Sequence, residues 1–175
     1  MIAQWDDHEI ANDSWQHGAE NHQADEGDYE TRKRIARRVY REWMPVSDLP
    51  DDQDQWKSYR IGDLATILLT ESRLHARDEQ LDLGAALKGQ TNVEATLAAF
   101  RDQTWRDPSR TMLGMDQEAW FADTLKRSVG AGQKWQVWAQ QTVMGNLRLP
   151  PQALGWIPES APEIAKLRAA IGAMG

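Results

Sequence analysis

The chain has no cysteine. That excludes disulfides, thiolate metal sites and cysteine nucleophiles, although it assigns no compartment. It also has no excess of positive charge: 20 Lys and Arg stand against 27 Asp and Glu, for a net charge of −7. The basic run from Arg32 to Arg41 is surrounded by acids. This balance argues against a nucleic-acid surface, which needs clustered cations. No apolar stretch approaches the roughly 20 residues of a membrane span, and no signal peptide precedes residue 5. There is no Gly-rich strand-to-helix loop to cradle a phosphate, no internal repeat and no low-complexity tract. What remains is 41% hydrophobic and 27% charged over 175 residues, the balance of a soluble globular chain with the length of one domain. Nine Trp against two Phe points to several half-buried indoles, each with a polar edge to satisfy.

The opening, MIAQWDDHEIANDSW, is expected to place a short buried strand over Ile2 to Trp5. Its polar burst would then lie at the mouth of an α/β sheet, where ligands bind. A polar loop follows over 14–27. DYETRKRIARRVYREWMP reads as a helix that Asp28 caps and Pro45 ends. Ile35, Val39, Trp43 and Val46 lie near one face of it, with Ala36 and Tyr40 beside them. An acidic turn region occupies 47–55. Strands are expected over 56–61 and 64–71 about the turn Gly62-Asp63. The nearly continuous apolar run from Leu64 to Leu69 suits a central strand covered on both faces. Residues 72–112, with a helix expected near 93–101, look like an insertion over a site. A helix over 116–128 with Trp120, Phe121 and Leu125 leads to Gly130 and Gly132. KWQVWAQQTVM then reads as a strand, and Trp120, Trp135 and Trp138 are expected in the core. Leu149-Pro150-Pro151 breaks regular structure. The tail PEIAKLRAAIGAM reads as helical, with Ile164, Leu167 and Ile171 in register. Strands alternating with helices indicate an α/β sandwich.

The chemistry concentrates in WDDHE. Carboxylates favour hard cations such as Ca²⁺, and imidazole suits Fe and Zn. A bound metal can clamp a phosphoryl oxygen and generate hydroxide, and a neighbouring His can protonate a leaving oxygen. From residue types alone, a solvated helix-capping corner is the commoner use of such a cluster. Asn12 and Asp13 suit turn capping. His17 and His22 suit a solvated loop, and His75 an exposed position or one packed beside Arg73. Gly62 and Gly114 suit turns.

WDDHEIANDSWQHGAENH, EGDYETRKRIARRVYREWMPV, YRIGDLATILLTESRLHARDEQL, DPSRTMLGMDQEAWFADTLKRS and KWQVWAQQTVM, taken in that order over about residues 3–145, resemble the PhoD-like family of metallophosphatases. The resemblance implies a four-layer α/β/β/α metallophosphoesterase sandwich with metals at its strand ends. It implies hydrolysis of phosphate mono- and diesters as small-molecule substrates, with Ca²⁺ and Fe as cofactors, and export as the usual location. Carried over by motif, Asp7 is the expected metal ligand, with Asp6 beside it. His8 is expected to contact phosphate and assist the leaving group, and Glu9 to hold His8 or support the loop. Arg73, in TESR, can grip phosphate bidentately. Glu71 stands there in place of the usual Asp. Arg77 and Asp78, in the same block, suit a structural salt bridge or, second to that, a substrate contact.

The resemblance also implies blocks that this chain does not show, namely an Asp-bearing first strand, a Cys ligand and a Gly-Asp-x-His block. The 175 residues are therefore expected to be one partial catalytic domain, a central segment incomplete at both ends. Little activity is expected from it alone. The alternative is a non-catalytic remnant whose Trp-rich face binds another chain. Oligomeric state is not readable.

Overall fold

The computed structural model describes residues 1–46 and 56–145. The expected acidic turn region at 47–55, the break at 149–151 and the C-terminal helix lie outside the described residues. The architecture is mixed α/β, and the chain divides into two compact units.

The first unit comprises Met1–Gln80 and Arg110–Val143. Helix α1, Tyr29–Trp43, starts where the Asp28 carboxylate accepts the Thr31 N–H at 2.8 Å, and it stops just before Pro45. Proline would remove a ladder hydrogen bond there. The next elements are strands β1, Lys57–Ile61, and β2, Ala65–Leu69. They pair antiparallel across the turn at Gly62, whose φ of 54° suits a residue without a Cβ. β2 is central, because β3, Trp135–Ala139, joins its other edge in parallel. A parallel pair needs a crossover, which contains α4, Met115–Gly130. The contact of α4 with β2 is polar, Ser128 Oγ donating to Thr66 Oγ1 at 2.8 Å. Phe121 meets Trp138 with ring centroids 4.9 Å apart.

Ile2–Trp5 is not a strand. Met1 and Ile2 are exposed, and only Trp5 is buried. This segment attaches by side chains rather than by a backbone ladder, which satisfies the groups at the end of β2. Gln4 Nε2 donates to the Thr70 carbonyl, and Trp5 Nε1 to Glu71 Oε1 at 3.1 Å. Trp5, Ile10, Tyr29, Tyr40 and Leu74 form the core here, with the Trp5 and Tyr40 rings edge-to-face at 5.4 Å. On α1 the expected apolar face is not a buried one: Ile35, Val39 and Trp43 are exposed, whereas Tyr29, Lys33 and Tyr40 are buried. Trp135 and Trp138 are likewise exposed rather than core, because β3 has no further strand beside it among the described residues. Trp120 is half-buried.

The second unit comprises Leu81–Ser109 and Met144–Gly175. Its described part holds α2, Leu83–Leu87, and α3, Val93–Ala99, which runs on into a π-helical turn, Phe100–Trp105. Asp82 and Asn92 cap the two helices, and Leu87 and Leu97 pack together. Residues 72–112, read above as one insertion, are thus shared between the units.

Candidate active site

The site forms where β2 and β3 end. Beyond Leu69 the chain runs Thr70-Glu71-Ser72-Arg73-Leu74, all of it buried. Backbone leaving a strand needs new partners, and polar side chains supply them. Gln117, in the first turn of α4, brackets residue 71. Its Oε1 accepts the Glu71 N–H at 2.7 Å, and its Nε2 donates to the Glu71 carbonyl at 2.8 Å and to the Leu113 carbonyl at 2.9 Å. Gln141 Oε1 accepts from both N and Oγ of Ser72. The Glu71 carboxyl group, wholly buried, then collects five donors. Trp5 Nε1, Arg73 N and Gln141 Nε2 reach Oε1 at 3.1, 3.0 and 3.2 Å, and Leu74 N and His75 N reach Oε2 at 2.9 and 2.7 Å. The extra methylene that distinguishes Glu from the usual Asp is spent on this reach. Glu71 therefore shapes the turn that presents Arg73.

Arg73 faces three acids. Its Nε donates to Asp6 Oδ1 at 2.7 Å, while Nη2 lies 3.5 Å from Asp7 Oδ1 and Nη1 lies 3.9 Å from Asp13 Oδ1. Only the first of these is a hydrogen bond; the other two are ion pairs beyond hydrogen-bonding range. The end of the guanidinium fork is therefore held electrostatically and not spent.

Asp7 sits in a turn, not at a strand tip. Its carbonyl accepts from Ile10 N and Ala11 N, both at 2.8 Å. Its side chain is buried, and Oδ2 accepts the Asp13 N–H at 2.7 Å. Asp13 aims that N–H from a left-handed conformation with φ 51°, one that Asp tolerates better than most residues. Burial pushes the Asp7 carboxyl up, but the Asp13 N–H, Arg73, its own backbone and His8 together hold it below the ordinary carboxylate value. Glu9 takes the loop-supporting role: its Oε2 accepts the Asp6 N–H at 2.8 Å. The partner of His8 is Asn12, with Nε2 2.8 Å from Asn12 Oδ1. Since the Asn12 amide nitrogen donates to Glu20, Oδ1 is the acceptor and His8 carries its hydrogen on Nε2. Nδ1 is the nitrogen left to exchange a proton, on an exposed ring.

The structure thus brings Asp6, Asp7, Asp13 and Arg73 together, with His8 on the same turn. His22, expected to be solvated, is not: its side chain is buried, with Nε2 3.1 Å from the Gly27 carbonyl and Nδ1 3.3 Å from Arg32 Nη1. His17 is exposed near Glu30. His75 packs its ring against Trp56 and lies 3.1 Å from Asp116. The Asp78 carboxylate accepts the Thr111 N–H at 2.7 Å. A groove of about 730 Å³ lined by Ile10, Ile35, Val39, Tyr40 and Trp43 is elsewhere, and none of Asp7, His8 or Arg73 lines it. Among the described residues no group of three or more His, Asp or Glu side chains could hold a metal ion.

The model of the PhoD-like phosphatase family matches residues 1–162. The chain belongs to this family. This PhoD-like chain is 29% identical over 144 residues to alkaline phosphatase D of Bacillus subtilis (strain 168). That match takes in 80% of the chain and 22% of the relative, so the chain spans about a fifth of the length of that protein. No solved structure matches the chain. Sequence reasoning missed Glu71, Gln117 and Gln141 as the frame of the site. Their signal was polar residues embedded in, or directly following, apolar segments.

Proposed function

We propose that this PhoD-like chain serves a metal-dependent phosphoester hydrolase of the alkaline phosphatase D and phosphodiesterase type, folded as part of a four-layer metallophosphoesterase sandwich. The observation that carries the reading is the buried Asp7 carboxylate 3.5 Å from Arg73 Nη2, beside the carboxyl ends of two parallel strands. That is where open α/β sheets bind ligands. Arg73 binds the phosphate with the two terminal nitrogens that its acids hold only loosely, and the bond from Nε to Asp6 fixes the plane of the fork. With its Nε2 hydrogen held by Asn12, His8 donates only in its doubly protonated form, passing the second proton, on Nδ1, to the leaving oxygen. Such general acid catalysis contributes roughly 10²–10⁴-fold.

Ca²⁺ and Fe are the metals the family resemblance implies, with Asp7, and Asp6 beside it, contributing carboxylates. The described residues do not by themselves fit a metal: both candidate acids are turned toward Arg73, and one Asp7 oxygen holds the Asp13 N–H. The 175 residues alone are accordingly assigned little turnover.

The test is hydrolysis of a chromogenic phosphomonoester and a phosphodiester with Fe and Ca²⁺ supplied. The proteins compared are the chain alone and a chimera in which it replaces the aligned segment of Bacillus subtilis alkaline phosphatase D. The chimera should turn over, and Asp7→Ala or His8→Ala should each cost it roughly 100-fold or more, whereas His75→Ala changes little. Near-normal turnover with Asp7→Ala refutes the assignment. A second reading, a non-catalytic interaction module, is favoured by the exposed Ile35, Val39 and Trp43 on α1, and it predicts an inactive chimera.

A further inference from the structure

Arg77 stands four residues beyond Arg73, and the proposed function leaves it unused. Its backbone is clamped on both sides: its carbonyl accepts the Gln16 N–H at 3.0 Å, and the next residue pairs with Thr111. The guanidinium is therefore delivered from a fixed base. It lies within electrostatic reach of Arg73, Asp13, Asp7 and Asp6, and burial first, then the Arg73 charge, push its basicity down against the pull of those acids. Its Nη1 is a buried nitrogen with no hydrogen-bond partner. A buried N–H without an acceptor is destabilising, and such orphans in a folded protein call for an explanation. The same guanidinium feels the Arg73 charge, and two cations that repel each other favour an anion between them.

We infer that Arg77 is a second phosphate-binding arginine, its Nη1 donating to the terminal oxygen that the Arg73 fork leaves uncovered. This rests on the phosphoesterase reading. The fork of Arg73 offers two parallel N–H donors, enough for two terminal oxygens. A phosphomonoester has three terminal oxygens and a diester two. Arg77 therefore acts as a specificity-determining residue that favours the monoester end of the substrate range. Asp6, Asp7 and Asp13 keep the two arginines tolerable while no anion is bound.

The test titrates the purified chain with inorganic phosphate, methyl phosphate and dimethyl phosphate. The readouts are calorimetry and the Arg side-chain N–H resonances in NMR, with thermal melting of each variant alongside. In the unsubstituted chain, phosphate should shift the Arg77 side-chain signals, a readout that needs no variant. Arg77→Met should weaken phosphate and methyl phosphate roughly tenfold or more, the equivalent of about 1.4 kcal/mol, and dimethyl phosphate by much less. Its melting temperature should stay the same or rise, because a buried N–H without an acceptor has gone. Arg77→Lys should fall between the two proteins in phosphate affinity. A purely structural Arg77 gives the opposite pattern: a lower melting temperature and unchanged binding. That pattern, equal weakening of methyl and dimethyl phosphate, or an absent Arg77 shift would each overturn the inference. Arg73→Lys separates the two levels. If it abolishes phosphate binding while Arg77→Met does not, only this inference fails. If neither changes binding, the phosphoesterase reading fails with it.

Discussion

Replacing Glu71 by Gln changes one oxygen into an NH₂ group, and the surroundings of Glu71 make that exchange expensive. Five N–H donors converge on its two oxygens, three on Oε1 and two on Oε2. A carboxamide offers one acceptor. In the better orientation its oxygen keeps Trp5 Nε1, Arg73 N and Gln141 Nε2. The NH₂ then faces the N–H groups of Leu74 and His75, where the contacts were 2.9 and 2.7 Å. Two backbone donors lose their acceptor at roughly 1–3 kcal/mol each, so the expected loss is about 2–6 kcal/mol. The flipped amide strands three donors and is worse. Against a total stability of roughly 5–15 kcal/mol for a domain, this is severe. The assay is equilibrium unfolding in urea at pH 7, where the midpoint should fall at an unchanged slope. Glu71→Asp should also destabilise, because both oxygens withdraw by about 1.5 Å, one carbon–carbon bond. A loss under about 1 kcal/mol for Glu71→Gln would show that Glu71 does not organise the turn.

Two further outcomes follow from the same region. Gly114, the residue that opens α4, has φ 80° and ψ 151°, and a Cβ there would stand 2.8 Å from Ala76 Cβ. That backbone region is essentially restricted to Gly and costs other residues roughly 1–3 kcal/mol. Gly114→Ala should lower the melting temperature by several degrees in a thermal scan, and by more than Gly62→Ala, since a Cβ at Gly62 meets nothing within 4 Å. Asp7 gives a pH signature. Its folded carboxyl lies below the ordinary value, so the stability that its charge contributes is complete above the unfolded pKa of about 3.9. That contribution drains away as pH falls through the lower folded value. The stability gap between the unsubstituted chain and Asp7→Asn should be constant from about pH 5 to 8 and should change on acidification below about pH 4. A gap that stays constant in urea titrations down to pH 3 contradicts the shift.

The elements that could be read from sequence are those whose ends carry local chemistry. Asp28 and Pro45 bracket α1, Gly62 turns β1 into β2, and Gly114 and Gly132 flank α4. The apolar run before Thr70 reads as a central strand because it is apolar on both faces, and in the structure both its edges are taken. Burial was less legible. Trp135 and Trp138 have strand-forming composition, but composition does not say whether a neighbouring strand or helix will cover them. Ile2–Trp5 has the composition of a strand, but side-chain bonds from Gln4 and Trp5 to Thr70 and Glu71 hold it in place of a ladder. Within the site, Asp6, Asp7 and Arg73 were legible as a motif, and the structure brings them together. Glu71 was not. A lone acid in an apolar run gives no local sign that Trp5 and Gln141, 66 and 70 residues away along the chain, will meet it.

Arg73 is held at both ends, and that bears on what it can do. At its root, the N–H is bound by Glu71, which the indole of Trp5 ties into the core with Tyr40 and Leu74. At its tip, Nε is bound by Asp6, whose own N–H is held by Glu9. Arginine carries about 2 kcal/mol of rotamer entropy, and most of that is lost here on folding rather than on binding. A ligand meeting a fork already fixed in plane avoids that cost, which is the gain from preorganisation. The same arrangement explains why three carboxylates can stand beside one guanidinium without occupying it: one bond fixes it, and the other two acids balance its charge from a distance. Truncating Arg73 to Ala would therefore leave Asp7 buried without its counter-charge, and removing one partner of a buried pair typically costs 3–5 kcal/mol. Lys keeps the charge and loses the fork. Arg73→Lys is for that reason the substitution that separates the proposed phosphate recognition from the stability of the site.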